Sequence, residues 1–127
     1  MEILIKRLNE KVKLPAYGRE AGPGIDLYVA KDITINPGEK VIVPTGVIIA
    51  MPVGYVGYIC GANCMNSSDC LKVSMAVLDS GYREEVVVEV INTGTDVRTY
   101  SVGEKIAQIL VHQIVRSQLI EVEDLGN

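Results

Sequence analysis

The sequence has few residues of several kinds, and each scarcity excludes a class of protein. It has no Trp, no Phe, one His and three Cys among 127 residues. The cysteines, Cys60, Cys64 and Cys70, match neither the paired C-x-x-C of a zinc site nor a disulfide framework, so we interpret them as buried thiols outside disulfides. No Cys or carboxylate is placed to complete a metal cluster with His112, and this favours a structural role for the histidine.

Long apolar runs and blocks of charge are also missing. No apolar run approaches the roughly 18 to 20 residues of a membrane-spanning helix, and the first residues lack the basic and apolar regions of a secretory signal. The formal net charge is −4, without the basic stripe of a duplex nucleic-acid binder. The sequence therefore predicts an intracellular, cytoplasmic protein that binds neither membranes nor duplex nucleic acid. A phosphorylated ligand would have to bring cations or meet local positive charge.

The length and the apolar content predict one folded domain over residues 1–127. A chain of this length has room for one core, and 48% hydrophobic residues exclude disorder. Apolar residues recur at a period of two, or in short runs, between turn signals, which is typical of β-strands. The predicted strands are Glu2–Arg7, Gly24–Val29, Lys40–Val43, Val47–Met51, Val56–Cys60, Leu71–Leu78, Glu85–Ile91, Val97–Tyr100 and Ile106–Val115. This pattern predicts an all-β sandwich or barrel.

Turn residues support these boundaries, and two apolar runs suggest an oligomer. Gly, Pro or Asn fall where the backbone must reverse, at 36–39, 52–54, 92–95 and 101–104. Only residues 63–70 hint at a helix, of one or two turns. The runs 86–91 and 106–111 lack the alternation of a strand with one wet face. A second copy of the chain covering that face, in a closed symmetric oligomer, would explain them.

Several patches resemble the dUTPase family in order and spacing. Residues 21–30 (AGPGIDLYVA) resemble the first family motif, 76–83 (AVLDSGYR) the third, and 103–109 (GEKIAQI) the fourth. Between them, 44–47 (PTGV) and 52–57 (PVGYVG) match the family framework. The resemblance implies a dUTPase-like jelly-roll β-barrel, a homotrimer, and Mg²⁺-dependent cleavage of dUTP to dUMP and pyrophosphate.

The resemblance also implies roles for individual residues. Asp79 would orient and deprotonate the water that attacks the α-phosphorus, a task that suits a carboxylate. Tyr82 would pack on the deoxyribose and exclude a ribose 2′-hydroxyl. Asp26 would support the metal indirectly, through water, and Gln108 would support the phosphate chain. The residues alone also permit a turn-forming Asp79, a core Tyr82 and a Gln108 that satisfies a neighbouring backbone group.

The uracil pocket of the family is a hairpin, and here Val73, Ser74, Met75 and Ala76 occupy it. Backbone groups of this hairpin would hydrogen-bond the uracil edge. The family prefers glycine at one or two of these places. Ser74 and Ala76 are small enough to tolerate, whereas the bulkier Met75 would narrow or re-aim the pocket.

The sequence departs from the family pattern in three places. The second motif should present an Arg and a Ser for the phosphates, but Ala62 and Asn63 stand there, and only Asn63 can donate a hydrogen bond. Glu84 replaces a usual Gly and adds a carboxylate that would repel a triphosphate or compete for the metal. The glycine-rich arm with an Arg and a Phe that closes over the family's active site does not follow in the sequence given.

Two hypotheses of different classes follow from these observations. The first is a Mg²⁺-dependent dUTP diphosphatase of low turnover. The second is a dUTPase-fold protein that has lost catalysis and acts as a nucleotide sensor or by binding a regulatory protein partner. A nucleotide deaminase of the same broad fold is disfavoured, because the Ser-Arg and Glu pattern of those enzymes is missing.

Overall fold

The fold is built from β-strands. The structure, a computed structural model, describes residues 1–18, 22–61 and 71–126. This part of the chain contains strands and turns and no helix. The strands are β1 (Leu4–Arg7), β2 (Ala16–Tyr17), β3 (Gly24–Tyr28), β4 (Ile33–Ile35), β5 (Lys40–Pro44), β6 (Val47–Ala50), β7 (Tyr55–Gly61), β8 (Leu71–Val73), β9 (Ala76–Leu78), β10 (Val87–Asn92), β11 (Arg98–Tyr100) and β12 (Lys105–Gln113).

The strands form four antiparallel sheets. The largest has the order β2-β3-β12-β7-β9, and a three-stranded sheet has the order β5-β10-β8. The pairs β1-β6 and β4-β11 complete the set. Neighbours in these sheets are often far apart in sequence, as when β12 lies between β3 and β7. The last long strand is therefore the central strand of the largest sheet, and the fold depends on pairing between distant segments of the chain.

The core is aliphatic and is formed by buried residues from all four sheets. β10 alternates as the pleat requires, with Val88 and Val90 buried and Val87 outward. Other buried residues between positions 25 and 109 join them: Ile25, Leu27, Val29, Ile33, Ile35, Val43, Val47, Ile49, Met51, Ile59, Leu71, Leu78, Val86, Ile106, Ala107 and Ile109. The many β-branched side chains suit both strands and close packing.

One buried polar residue ties the core to two turns. Asn92 is fully buried, and its side-chain amide donates to the carbonyls of Ile35 (3.0 Å) and Asp96 (2.8 Å). Its side-chain oxygen accepts from the Gly94 amide at 2.9 Å. A buried amide is stable only when it is satisfied in this way. Asn92 thus explains why the turn predicted at 92–95 follows β10.

The strand predicted at Leu71–Leu78 is wrong as a single element. The chain breaks at Ser74 and Met75 into β8, which pairs with β10, and β9, which pairs with β7. The two halves therefore belong to different sheets. β2 and β4 were not predicted, because two or three residues are too short to establish a period. The other predicted strands are present with ends shifted by one to two residues, and the helical turn suggested for residues 63–70 lies outside the described residues.

The outer face of the three-stranded sheet is only partly covered in a single chain. Val87 is 38% exposed and Ile42 is 53% exposed. Both point away from the core, since Val88 and Val43 point into it. Across the described ranges, we find no helix that is long and apolar enough to span a membrane.

Candidate active site

Asp26 and Gln108 lie opposite each other on neighbouring strands, as the family motifs imply. Asp26 on β3 pairs with Gln108 on β12. Ile25 and Leu27 point into the core, so Asp26 points to the other face of the sheet. Directly opposed residues have their Cβ atoms about 4.5 to 5.5 Å apart on the same face. The register of two strands therefore brings the first and fourth motifs together.

Lys105 is a member of this group that the sequence did not identify. Its Nζ lies 2.8 Å from Oδ1 of Asp26, whose side chain is 9% exposed. The Lys105 side chain is 40% exposed, so its ammonium keeps contact with water. The register of β12 shifts between Lys105 and Ala107, which turns Lys105 towards the same face as Asp26. The available signal was that Lys105 is the one cation in the fourth patch.

Two glycines give these polar side chains their space. A Cβ atom at Gly24 would lie 2.0 Å from Oε1 of Gln108, and one at Gly18 would lie 1.9 Å from Oδ2 of Asp26. Both distances are far shorter than a van der Waals contact. Any larger residue at these positions would displace Asp26 or Gln108.

Gln108 also links the pair to the predicted base pocket. Its Nε2 donates to the carbonyl of Gly61 at 3.3 Å, a contact of the kind that a polar residue in an apolar strand is expected to make. A Cβ atom at Gly61 would lie 3.6 Å from Cβ of Val73. Gly61, the last residue of β7, therefore lies between Gln108 and the predicted pocket.

The predicted base pocket is the place where the chain leaves one sheet for another. Val73 ends β8 and Ala76 begins β9. The Ser74 amide donates to the Glu89 carbonyl (2.9 Å), and the Ser74 hydroxyl donates to Oε1 of Glu89 (2.9 Å). Met75 is 67% exposed and does not fill the space between the strands. The expectation that Met75 narrows or re-aims the pocket therefore stays a prediction.

We call residues 73–76, where the chain passes from the three-stranded to the five-stranded sheet, the crossing. A small apolar cavity lies beside it. It has a volume of about 190 Å³ and is lined by Ile59, Ala76, Val77, Leu78, Tyr82, Val86 and Val87. Tyr82 is 36% exposed, and its hydroxyl donates to the Glu85 carbonyl at 2.9 Å. The ring therefore has one held end and one open face, which suits packing against a sugar or a base.

Asp79 follows β9 directly and is exposed to solvent. Its carbonyl accepts from the Tyr82 amide at 3.2 Å, which closes a turn over residues 79–82. Arg83 strengthens the turn, since its Nη1 donates to the carbonyls of Ser80 (2.7 Å) and Tyr82 (2.9 Å). The turn-forming role that the residues permit is thus present, and it leaves the Asp79 carboxylate directed to solvent.

Within one chain Asp79 does not lie beside Gln108. Leu78 pairs with Gly57, while Gln108 pairs with Cys60. Asp79 therefore lies about four residues, or about 13 Å, along the sheet from Gln108, and two strand spacings, or about 10 Å, across it. The structure brings Asp26 to Gln108 and Tyr82 to the cavity, but it does not unite the two groups.

The remaining predicted residues have simpler positions. Asn63, Cys64 and Cys70 lie outside the described residues, and Cys60 is buried as expected. His112 packs edge-on against Tyr58, with ring centroids 5.0 Å apart. This aromatic contact agrees with the structural role assigned to the histidine.

The residues around Asp26 fit a magnesium ion only through its water ligands, because Oδ1 of Asp26 is already paired with Nζ of Lys105 at 2.8 Å. In the described ranges, no three His, Cys, Asp or Glu side chains are grouped to hold a metal. Asp26 and Gln108 still offer oxygen atoms, the ligands that Mg²⁺ prefers. Since Mg²⁺ keeps several waters and often binds through one carboxylate and the substrate's phosphates, no preformed cage is required.

Comparison with known proteins decides the family. The model of the dUTPase family matches residues 10–127. The chain is 39% identical to the deoxyuridine 5′-triphosphate nucleotidohydrolase of Caldanaerobacter subterraneus subsp. tengcongensis, with 96% of this chain and 86% of that protein aligned. This chain belongs to the dUTPase family. The dUTPase of Mycolicibacterium gilvum is 36% identical and covers 94% of this chain and 80% of its own length.

Solved dUTPase structures share the fold. A dUTPase of Staphylococcus bacteriophage 80alpha, determined with dUpNHpp, superposes with a TM-score of 0.90 at 21% identity, over 99% of this chain and 90% of that one. A dUTPase of phage phi11 of S. aureus, determined to describe the coordination of a structural Mg(II) ion, has a TM-score of 0.90 at 20% identity over all of both chains. The expected all-β, dUTPase-like fold is confirmed. At these identities the two structures establish the fold alone.

Proposed function

We propose that this protein is a dUTP diphosphatase that hydrolyses dUTP to dUMP and pyrophosphate. The observation that carries the proposal is the family match over residues 10–127, which includes the patch from Asp79 to Tyr82. In the structure this patch is a turn beside a small apolar cavity, with the carboxylate directed to solvent. A base, a sugar-sized aromatic surface and an apolar pocket thus lie within one short stretch of chain.

Asp79 acts as the general base in this proposal. Its carboxylate accepts a proton from a water molecule while the oxygen of that water attacks the α-phosphorus. A new bond forms between that oxygen and the α-phosphorus, and the bond to the oxygen bridging the α- and β-phosphates breaks. The bridging oxygen leaves as part of pyrophosphate, and the water oxygen stays on the α-phosphorus of dUMP. A carboxylate that also fixes the direction of attack lowers the entropic part of the barrier.

Substrate recognition is divided between the two groups of residues. The crossing at Val73, Ser74 and Ala76 takes the uracil, and the Tyr82 ring packs on the deoxyribose. Asp26, Gln108 and Asn63 organise the phosphate chain. Mg²⁺ is the required cofactor and neutralises part of the phosphate charge so that water can approach. The cytoplasm, where free nucleotides are found, is the expected location.

A homotrimer resolves the separation of the two groups. Asp79 lies far along the sheet from Gln108 in one chain, so a neighbouring subunit would supply one group to the site of another. The exposed apolar side chains of Val87 and Ile42 support such an assembly, because a neighbouring subunit would cover them. The mass in solution should be three times 13.8 kDa. Sedimentation equilibrium measures this directly, and a monomer would contradict the shared site.

Mixing two inactive variants tests the shared site itself. Trimers assembled from Asp79→Asn and Asp26→Asn subunits would contain some sites in which both residues are wild-type. Co-refolding the two variants should therefore restore activity that neither has alone. If the mixture forms mixed trimers and stays inactive, both residues belong to sites within one chain.

The decisive experiment is pyrophosphate release from dUTP, with dCTP, dTTP and UTP as competing substrates, with and without Mg²⁺. The Asp79→Asn variant, purified in parallel, controls for dUTPase from the expression host. Activity confined to dUTP and lost in that variant is the expected result. A folded protein without activity would overturn the proposal and favour the sensing or partner-binding role.

A further inference from the structure

The loop that joins β9 to β10 is anchored to a distant bend of the chain. This loop, residues 79–86, carries Asp79 and Tyr82, and it is not paired as a strand. Its near end continues from β9. Its far end, Glu85 and Val86, is hydrogen-bonded to residues 45–47, between β5 and β6. The position of Tyr82 therefore depends on a contact with residues about 40 positions away in sequence.

Glu85 connects the tyrosine to this bend through two different groups. Its backbone carbonyl accepts from the Tyr82 hydroxyl at 2.9 Å. Its side-chain Oε2 accepts from the amide of Gly46 at 2.8 Å, in a partly buried position. A hydrogen bond to a carboxylate is stronger than one between neutral groups. One residue thus ties the Tyr82 hydroxyl to Gly46.

The bend is a firm anchor. Gly46 has a φ of 74°, and a Cβ atom there would lie 2.6 Å from Cγ2 of Val12, so its backbone is closely surrounded. The buried Thr45 donates both its hydroxyl and its amide to the Val86 carbonyl. The Val86 amide donates to the Val47 carbonyl at 2.8 Å. A carboxylate bonded to this bend is held to a part of the core that does not move easily.

We propose that Glu85 is a positioning residue that fixes the Tyr82 ring and thereby sets the preference for deoxyribose over ribose. The inference rests on the proposed function and extends it to a residue outside the family motifs quoted above. Exclusion of one hydroxyl group depends on ring placement, because a small displacement opens enough space for an oxygen atom. Holding the hydroxyl end of the ring limits that displacement.

The catalytic base is held by other contacts. The turn over residues 79–82 is closed by its own backbone bond, and Arg83 bonds the carbonyls of Ser80 and Tyr82. None of these bonds involves Glu85. Loss of the Glu85 carboxylate should therefore change sugar selectivity much more than turnover of dUTP.

The fold should survive removal of the carboxylate. Glu85 and Gly46 line a cavity of about 510 Å³ together with Lys11 and Lys13. The cavity is large enough for water and carries the polar side chains of Asn9, Lys11 and Lys13, with which water can hydrogen-bond. Water can then accept the hydrogen bond of the Gly46 amide, so no buried donor is left unsatisfied.

The test compares Glu85→Ala with Glu85→Gln, whose amide oxygen can still accept from Gly46. Glu39→Ala is the matched control, since Oε1 of Glu39 accepts from the Asn36 amide (2.9 Å) in a turn outside the site. The readout is the ratio of kcat/KM for dUTP to that for UTP. We expect Glu85→Ala to lower this ratio severalfold, up to about tenfold, since the Val86 hydrogen bonds to Thr45 and Val47 remain, with kcat for dUTP nearly unchanged. Glu85→Gln and Glu39→Ala should keep the wild-type ratio.

Two kinetic outcomes would overturn the inference while leaving the function intact. One is an active Glu85→Ala enzyme with an unchanged ratio. The other is an equal loss on both nucleotides, which would show a general structural role. Wild-type protein that does not hydrolyse dUTP would instead contradict the proposed function.

A nucleotide-free measurement tests the positioning by itself. The ring signals of Tyr82, assigned with Tyr82→Phe among the six tyrosines of the chain, can be followed by NMR in selectively labelled protein. They should shift and broaden in Glu85→Ala but not in Glu85→Gln or Glu39→Ala. Unchanged signals in Glu85→Ala would refute the inference whether or not the wild type is active.

Discussion

The two halves of the candidate site are held in place by different means. Asp26 and Gln108 lie on β3 and β12, where the regular pairing of residues 24–27 with residues 107–110 sets their register. Asp79 and Tyr82 lie on a loop, where a few bonds from particular side chains do the same. In the first half the fold itself positions the chemistry. In the second half single residues do so, and substitutions there can alter the chemistry without unfolding the protein.

The largest expected effect belongs to the loop half. Replacing Asp79 by Asn removes the base but keeps the shape, so kcat for dUTP should fall by about 10²- to 10⁴-fold. Because Asp79 is exposed, the free energy of unfolding should stay the same. Pyrophosphate release and urea unfolding measure the two quantities. Asp96→Asn, at another exposed carboxylate, should change neither kcat nor the free energy of unfolding. A large loss of stability in Asp79→Asn would contradict the view that loop substitutions alter the chemistry without unfolding the protein.

The second effect is a gain in kcat/KM from a substitution at the phosphate-binding residues. Ala62→Arg restores the cation that the family's second motif carries, at a position outside the described residues. A charge-assisted hydrogen bond to the phosphates should raise kcat/KM about tenfold to a hundredfold. Ala62→Gln provides a hydrogen-bond donor without the charge and should gain less. Equal rates for wild type and Ala62→Arg would mean that charge at this position does not limit the reaction.

The third effect tests the strand half for its role in stability. Asp26→Asn leaves Lys105 without its partner, and the free energy of unfolding should fall by about 1 kcal/mol, less than for a fully buried pair because Lys105 can rehydrate. Activity at ordinary Mg²⁺ concentrations should be lost as well and should return only when Mg²⁺ is raised. Urea unfolding and a Mg²⁺ titration measure both. Adding Lys105→Met to Asp26→Asn should recover part of the stability, and no recovery would mean that the ion pair is not the cause.

The smallest effect concerns the surface charge of Glu84. This side chain is exposed next to Arg83. Its negative charge repels the negatively charged triphosphate. Glu84→Gln should lower KM for dUTP about two- to fivefold at low ionic strength. The difference should disappear in high salt, because exposed charges are screened. Glu121→Gln, at another exposed carboxylate, should have no effect, and a salt-independent change in Glu84→Gln would exclude an electrostatic cause.

Much of the fold could be predicted because local signals were consistent. At Asn36–Glu39 the expected turn is present, with Gly38 at a φ of 79° and the Glu39 amide bonded to the Asn36 carbonyl at 3.0 Å. The break between β8 and β9 was missed although a signal existed. Leu71 before the break and Leu78 after it are both buried although they are seven positions apart, an odd separation that a continuous strand would place on opposite faces.

The site residues that lie in recognisable patches of sequence could be predicted. Those whose role depends on contacts between distant residues could not. The patches named Asp26 and Gln108, and the structure places them opposite each other. Lys105 was missed because the bulge that directs it towards Asp26 is invisible in sequence. Glu85 was missed because its partner Gly46 is 39 positions away and contributes only a backbone amide.

The crossing at Ser74 and Met75 places one cavity against two different sheets. The adjoining cavity is lined by Ile59 and Ala76 from the five-stranded sheet and by Val87 from the three-stranded sheet. A group seated there touches both sheets at once and would lose its contact with Val87 if they separated. Since a ligand stabilises whichever state binds it, a nucleotide bound in this proposed pocket would favour the arrangement in which the two sheets are packed on each other.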